Sequence, residues 1–179
     1  MLSVSWVYPG PASGTLICLA GFIMCLFAAS LWDIRSHSVP DLIWWIAALD
    51  IVLLICMRYG PGDVRSGYSV MTASRLMIEA LFVIFIQERV MSRYYGRADS
   101  HAFSCCTLFF AACGSCLEAH IIHMSISLIL LTLVQSFRKN ISKGIKLKVS
   151  VPFIPYISVS FVVTVLHVLN FRDWSMKMV

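Results

Sequence analysis

Long runs of apolar residues, separated by short polar stretches, dominate this sequence. Of its 179 residues, 59% are hydrophobic and only 13% are charged, and the mean hydropathy is +0.84. Soluble domains contain roughly 45–50% apolar and about 25% charged residues, so this chain lacks the polar surface of a water-soluble globule. We therefore expect the lipid bilayer to be its solvent, with a single transmembrane domain over residues 1–179.

Six apolar segments predict the transmembrane helices. They cover residues 15–33, 42–57, 70–87, 102–117, 121–137 and 151–169. A spanning helix needs about 20 apolar residues, and the fourth and fifth segments are at or below that length, so five spans or a re-entrant pair remain open. None of the runs alternates as a barrel strand would. The expected fold is all-α, a polytopic membrane protein with a bundle of about six transmembrane helices.

The basic residues predict the orientation of the bundle. With the N-terminus outside, the inside loops hold nine of the 14 Lys and Arg residues and the outside holds five. Cytoplasmic loops carry an excess of such residues, so we predict a multi-pass protein with its N-terminus outside. This bias accounts for the net charge of +5. No phosphate-binding loop or zinc-finger spacing is present, and nucleic acid is not an expected partner.

Two acidic residues fall on the same predicted membrane face. Asp33 closes the first segment, seven residues before Pro40, and helices end at or before the residue that precedes a proline. Asp99 precedes the fourth segment, where Gly96 permits a tight backbone and Asp99 can cap the following helix. Ionisable residues at membrane depth are costly and default to functional candidates. Two carboxyl groups that can approach each other suit aspartic proteolysis, so we predict Asp33 and Asp99 as the catalytic pair.

Three short patterns resemble those of the type IV prepilin peptidases and archaeal preflagellin peptidases, which are GxGD intramembrane aspartyl proteases. They are D-x(6)-P from Asp33 to Pro40, G-x-x-D from Gly96 to Asp99, and Pro-Phe-x-Pro from Pro152 to Pro155. The resemblance extends from about residue 15 to residue 169. It implies that Asp33 and Asp99 are catalytic. The residues that it implies for substrate binding or motif support are Pro40, Gly96, Ala98, His101, Pro152 and Pro155.

The same resemblance implies a function and a location. The chain would hydrolyse the leader of prepilin-like precursors, for a type IV pilus or for protein secretion. It would do so at the cytoplasmic face of a prokaryotic plasma (inner) membrane, without a metal or an organic cofactor. A homo-oligomer is left open.

The chain departs from the family pattern at three positions and in its length. Ala98 replaces the second glycine of GxGD, His101 stands where a lysine is usual, and Asp41 stands where an asparagine commonly follows the proline. We also expect no N-terminal methyltransferase segment with paired CxxC motifs, because the sequence has no room for it before Asp33. The resemblance therefore implies the peptidase activity alone.

Other ionisable residues suggest different functions. Asp50, Glu79 and His167 lie within apolar segments and could line the path of a small transporter or proton relay. A scaffold protein that retains the fold without activity is a third alternative. His120 and His123 have H-x-x-H spacing, but we expect solvated or interfacial histidines there, and we expect His167 to be hydrogen-bonded in the core.

The ends of the helices suggest a division of roles between the two aspartates. Asp33 lies near a helix C-terminus, which carries partial negative charge, whereas Asp99 lies near a helix N-terminus, which carries partial positive charge. On this basis Asp33 is predicted to hold the shared proton and Asp99 to be the ionised base.

Overall fold

The computed structural model describes residues 12–59, 67–91, 96–114, 117–141 and 152–176. Within these ranges the chain forms six helices and no strand, which confirms the all-α prediction. The helices are α1 (Ala12–Ser36), α2 (Asp41–Tyr59), α3 (Gly67–Met91), α4 (Arg97–Ala112), α5 (Leu117–Ile141) and α6 (Ile154–Met176).

Two of these helices are long and apolar enough to cross a membrane. They are the stretch Gly14–Ser36 of α1 and the stretch Leu117–Phe137 of α5. In α6 a shorter apolar stretch extends over Ile154–His167. Within the described ranges, length and composition thus favour membrane association through α1 and α5.

The boundaries of α4 differ from the predicted segment 102–117. The helix begins earlier, at Arg97, and ends at Ala112, and the chain turns at Cys113 and Gly114. Gly114 has a φ of 82°, a left-handed conformation that glycine adopts without strain, and its N–H donates to the Ala111 carbonyl at 2.9 Å. The apolar run therefore continues through a turn that hydropathy alone does not reveal. Residues 115 and 116 lie outside the described residues, as does residue 151 of the sixth segment.

Aromatic side chains from three helices form the centre of the bundle. Phe22 of α1 stacks on Phe109 of α4, with ring centroids 4.7 Å apart, and both rings contact Phe161 of α6 at 5.0 and 5.4 Å. Aromatic pairs at these separations contribute about 0.5–1.5 kcal/mol beyond the burial of their area. The outer surface also carries large apolar side chains, including Ile17, Trp45 and Phe82, which are 64–74% exposed. Such a surface suits lipid rather than water.

The C-terminus of α1 and the N-termini of α2, α4 and α6 lie together at one end of the bundle. Contacts between α1 and α6 pair Phe22 with Phe161 and Asp33 with Ile154, so these two helices run antiparallel. The C-terminus of α1 consequently lies beside the N-terminus of α6. The N-termini of α2 and α4 line the same cavity at this end.

Candidate active site

Asp33 lies one turn before the end of α1. The helix ends at Ser36, and His37 follows with a φ of 51°, a left-handed residue that commonly terminates helices. The His37 N–H donates to the Asp33 carbonyl at 2.9 Å. Pro40 then precedes α2 and accepts the Ile43 N–H through its carbonyl at 3.1 Å. The prediction that α1 ends before Pro40 is confirmed. Asp33 is buried at this end of the helix and is only 7% exposed.

The Asp33 carboxylate reaches across to the N-terminus of α6. Its Oδ2 accepts a hydrogen bond from the Ile154 N–H at 3.2 Å, and Ile154 is the first residue of α6. Pro155 follows in the first turn, where its missing N–H costs nothing. Phe153, just before the helix, packs edge-on against Phe103 with ring centroids 5.6 Å apart. The Pro152–Pro155 motif therefore begins the helix whose first N–H binds the Asp33 carboxylate.

This contact removes the basis on which Asp33 was predicted to hold the shared proton. The prediction considered only the C-terminus of α1, which is unfavourable for an anion. The structure adds the N-terminus of α6, which carries partial positive charge and donates a hydrogen bond to the carboxylate. Helix ends therefore do not distinguish Asp33 from Asp99.

Asp99 lies in the first turn of α4, at the third helical position. Gly96, rather than Asp99, is the N-cap residue, and its N–H donates to Asp99 Oδ2 at 3.0 Å. Asp99 therefore caps α4 from within the helix, in the manner of the acidic residue of a capping box. A Cβ at position 96 would lie 3.2 Å from Asp99 Oδ2, so glycine leaves room for this carboxylate.

The Asp99 carboxyl group has a shifted pKa. Burial raises its pKa from the ordinary 3.8 to about 6, the Gly96 N–H opposes this shift, and the negative charge of Asp33 adds to it. The influence of Asp33 on the pKa of Asp99 indicates that the two carboxylates are close enough to interact. Shifted pKa values of this kind are enriched at functional sites.

Both aspartates line one cavity of about 370 Å³ at this end of the bundle. Four other predicted site residues line it too: Gly96, Ala98, His101 and Pro152. Pro40 lies between the lining residues Val39 and Asp41, and Pro155 lies in the first turn of α6. The structure thus brings the three sequence patterns together around one cavity.

The cavity is also the meeting point of three helix N-termini. Those of α2, α4 and α6 contribute Asp41, Asp99 and Phe153 to its lining, and Asp33 faces them from the end of α1. Partial positive charge at helix N-termini favours anions within the first turn. This arrangement offsets part of the repulsion among the three carboxylates.

Glu88 of α3 contacts the cavity through His101. His101 Nδ1 lies 3.6 Å from Glu88 Oε1, and the Ser104 hydroxyl donates to the same oxygen at 3.2 Å. The sequence prediction did not include Glu88. Its position at the polar end of an apolar segment could have indicated that it lies at this end of the bundle.

The residues of the transporter alternative lie on three different helices. Asp50 of α2 faces α1, where a Cβ on Gly21 would lie 3.1 Å from Asp50 Oδ1. Glu79 pairs with Arg75 on its own helix at 2.9 Å. His167 is exposed on α6. The prediction that His167 lies in the core is therefore wrong.

His120 and His123 are buried, so the prediction of solvated or interfacial histidines is wrong. His120 Nδ1 contacts the Thr107 hydroxyl at 2.8 Å, and the His123 Nε2–H donates to the Ile157 carbonyl at 3.1 Å. The rings of Phe103, Phe110 and Phe161 surround His123. In the ranges that the structure describes, no group of three or more His, Cys, Asp or Glu residues could hold a metal ion.

Comparisons with protein-family models, with curated proteins and with solved structures found no match to this chain. A functional interpretation therefore depends on the sequence patterns and on the geometry of the cavity.

Proposed function

We propose that this chain is an intramembrane aspartic endopeptidase of the prepilin leader peptidase type, with Asp33 and Asp99 as its catalytic dyad. One observation carries the proposal: carboxylates from α1 and α4 line one cavity, where burial raises the pKa of Asp99 and the charge of Asp33 adds to that rise. Paired carboxyl groups of this kind share a proton, because two adjacent like charges disfavour double ionisation.

The dyad supplies both an acid and a base for hydrolysis. Asp33 is ionised, with Ile154 N–H at its Oδ2, and takes a proton from a water molecule. The water oxygen attacks the carbonyl carbon of the scissile peptide bond, while protonated Asp99 donates its proton to the carbonyl oxygen. The tetrahedral intermediate then collapses: Asp33 gives the proton from water to the leaving nitrogen as the C–N bond breaks, and Asp99 regains a proton from a hydroxyl group of the intermediate as the new carboxyl group forms. These roles are the reverse of those predicted from the helix ends, because burial and the charge of Asp33 favour the protonated form of Asp99.

The proposed substrate is a membrane-tethered, prepilin-like precursor with a short basic leader, cleaved after a glycine that precedes its hydrophobic segment. The proposed location is a prokaryotic plasma membrane, in which the chain forms a multi-pass bundle of about six helices with the N-terminus outside and the cavity at the cytoplasmic face. The charge bias of nine inside against five outside supports this orientation. Of the basic residues in this count, those at 65, 93, 143, 146, 148 and 177 lie outside the described residues. Asp33, Asp41 and Asp99 in the cavity complement a basic leader.

Co-expression with a prepilin-like precursor tests this function. Wild-type protein is expected to shorten the precursor, as seen by gel mobility and by the N-terminal sequence of the product. Asp33→Ala and Asp99→Ala are each expected to abolish cleavage. Glu118→Ala is the control, since it removes an exposed carboxylate that does not line the cavity and is expected to retain activity. Unchanged cleavage in either dyad variant would contradict the proposal.

The second candidate function is a small transporter or proton relay. It is favoured by Asp50, whose Oδ2 is buried and has no hydrogen-bond partner in the described part of the chain. The pairing of Glu79 with Arg75 and the exposure of His167 do not favour it. Proton or solute flux that is lost in Asp50→Ala and retained in both dyad variants, together with no precursor cleavage by the wild type, would identify this alternative.

A further inference from the structure

A second polar contact joins α1 to α6 one helical turn below Asp33. The hydroxyl oxygens of Ser30 and Ser158 are 2.7 Å apart. Ser30 precedes Asp33 by three residues and Ser158 follows Ile154 by four, and residues at these spacings lie on the same helix face. The Ser30–Ser158 contact and the Asp33–Ile154 hydrogen bond are therefore successive contacts along one interface.

Backbone carbonyl groups hold both hydroxyl groups of this pair. Ser30 Oγ donates to the Leu26 carbonyl at 2.8 Å. Ser158 Oγ lies 3.0 Å from the carbonyl of Ile154 and 3.2 Å from that of Leu26. The pair thus connects the backbone of α1 to the first turn of α6, and the carbonyl group on that turn belongs to Ile154, whose N–H binds Asp33.

The hydrogen bond at Asp33 depends on the position of α6 along α1. At 3.2 Å, the Ile154 N to Asp33 Oδ2 distance is at the long end of the range for N–H···O hydrogen bonds. A shift of about 1 Å between the two helices would break it, whereas the neighbouring aromatic contacts tolerate such a shift.

We propose that Ser30 and Ser158 are positioning residues, which hold α6 in register with α1 so that the Ile154 N–H remains on the Asp33 carboxylate. The catalytic part of this proposal depends on the proposed protease function, while the register itself does not. The pair does not line the cavity, and it acts on the reaction only through the Ile154 N–H.

The chain provides a matched control for this pair. Ser127 of α5 and Ser160 of α6 form another short contact between hydroxyl groups, and both side chains are fully buried. Each hydroxyl oxygen also lies within hydrogen-bond distance of a carbonyl oxygen of its own helix, that of His123 or that of Ile157. Ser160→Ala therefore removes a contact between hydroxyl groups from the same helix, but from its interface with α5 rather than with α1.

The test compares Ser30→Ala and Ser158→Ala with Ser160→Ala and with Ser158→Thr, which retains a hydroxyl group. Two quantities are measured on purified protein: the hydrogen-exchange rate of the Ile154 amide without substrate, and kcat and KM for precursor cleavage. Ser30→Ala and Ser158→Ala are each expected to accelerate Ile154 exchange and to lower kcat by about fivefold, with KM unchanged. Ser160→Ala is expected to change neither quantity, and Ser158→Thr is expected to keep both close to their wild-type values.

Two outcomes would overturn this inference. One is an unchanged Ile154 exchange rate in both alanine variants of the pair. The other is an equal acceleration in Ser160→Ala, which would indicate general loosening of the bundle. If wild-type protein cleaves no precursor, the proposed function fails, and the exchange rates still decide whether the pair holds the register.

Discussion

Asp99 is subject to opposing influences on its charge. The Gly96 N–H and the N-terminus of α4 favour its anion, whereas burial and the charge of Asp33 favour the protonated form. Burial has the largest effect, and the pKa rises to about 6. A carboxyl group of this kind can donate a proton near neutral pH and regain it, which is the property that the proposed mechanism needs.

Stability should depend on pH through Asp99. Because its pKa in the folded protein is raised from 3.8 to about 6, the folded state retains a proton that the unfolded chain releases between these values. This stabilisation is present below the unfolded pKa and is lost as pH rises through about 6. In the wild type, we expect the unfolding temperature to fall by on the order of 5 °C as pH rises through this window. We expect Asp99→Asn to abolish this fall.

Thermal unfolding of the detergent-solubilised protein at a series of pH values measures this dependence. Asp41→Asn is the control, because it removes an exposed carboxylate near the same cavity. The interpretation of Asp99 would be wrong if Asp99→Asn and the wild type declined in parallel.

The local sequence predicted that Asp33 and Asp99 lie near helix ends. It did not predict which distant groups contact them. Pro40 and Gly96 lie close to Asp33 and Asp99 in the chain, so their backbone effects could be inferred from spacing. The Ile154 N–H is 121 residues from Asp33, and that contact requires the packing of α6 on α1. His123 illustrates the same limit, because its burial depends on aromatic rings from α4 and α6.

At the scale of the elements, α4 shows how local conformation overrides hydropathy. Its N-terminus is fixed by Gly96 and Asp99, and its C-terminus by the left-handed Gly114. Hydropathy predicted an apolar segment from 102 to 117, because a turn made of small residues is nearly as apolar as a helix. Backbone conformation at a single residue therefore decides where this helix ends.

Substitution of Gly114 tests this account of α4. A side chain in the left-handed region costs about 1–2 kcal/mol, so Gly114→Ala should lower the free energy of unfolding by that amount. Asparagine enters this region more readily than alanine, and Gly114→Asn should cost less. Denaturant or thermal unfolding in detergent measures both changes. Equal stability of Gly114→Ala and the wild type would show that position 114 does not adopt this conformation in the folded protein.

The whole molecule combines a packed aromatic centre with an apolar outer surface. Composition predicted an outer surface poor in polar residues, and many large apolar side chains are exposed there. Helix number and class followed from the apolar runs. The convergence of three helix N-termini on one cavity did not, because it depends on how the helices assemble rather than on any one of them.

Accessibility to a membrane-impermeant maleimide tests the proposed orientation. In a background without the native cysteines, Ser38→Cys reports on the cavity end, and Glu118→Cys reports on the N-terminus of α5. Both positions are exposed. In intact spheroplasts we expect the label on Glu118→Cys alone, and on Ser38→Cys only after permeabilisation. The reverse pattern would place the cavity outside and contradict the orientation.

Catalysis by paired carboxylates is the central claim, and the cleavage rate of purified protein in lipid nanodiscs tests it most directly. The substrate is a prepilin-like precursor, and the variants are Asp33→Asn and Asp99→Asn, which keep the side-chain shape and remove the acid. We predict that each lowers kcat by at least about 1,000-fold and that the double variant falls little further, because the two carboxyl groups act as one unit. Retention of wild-type kcat by either variant would contradict the claim.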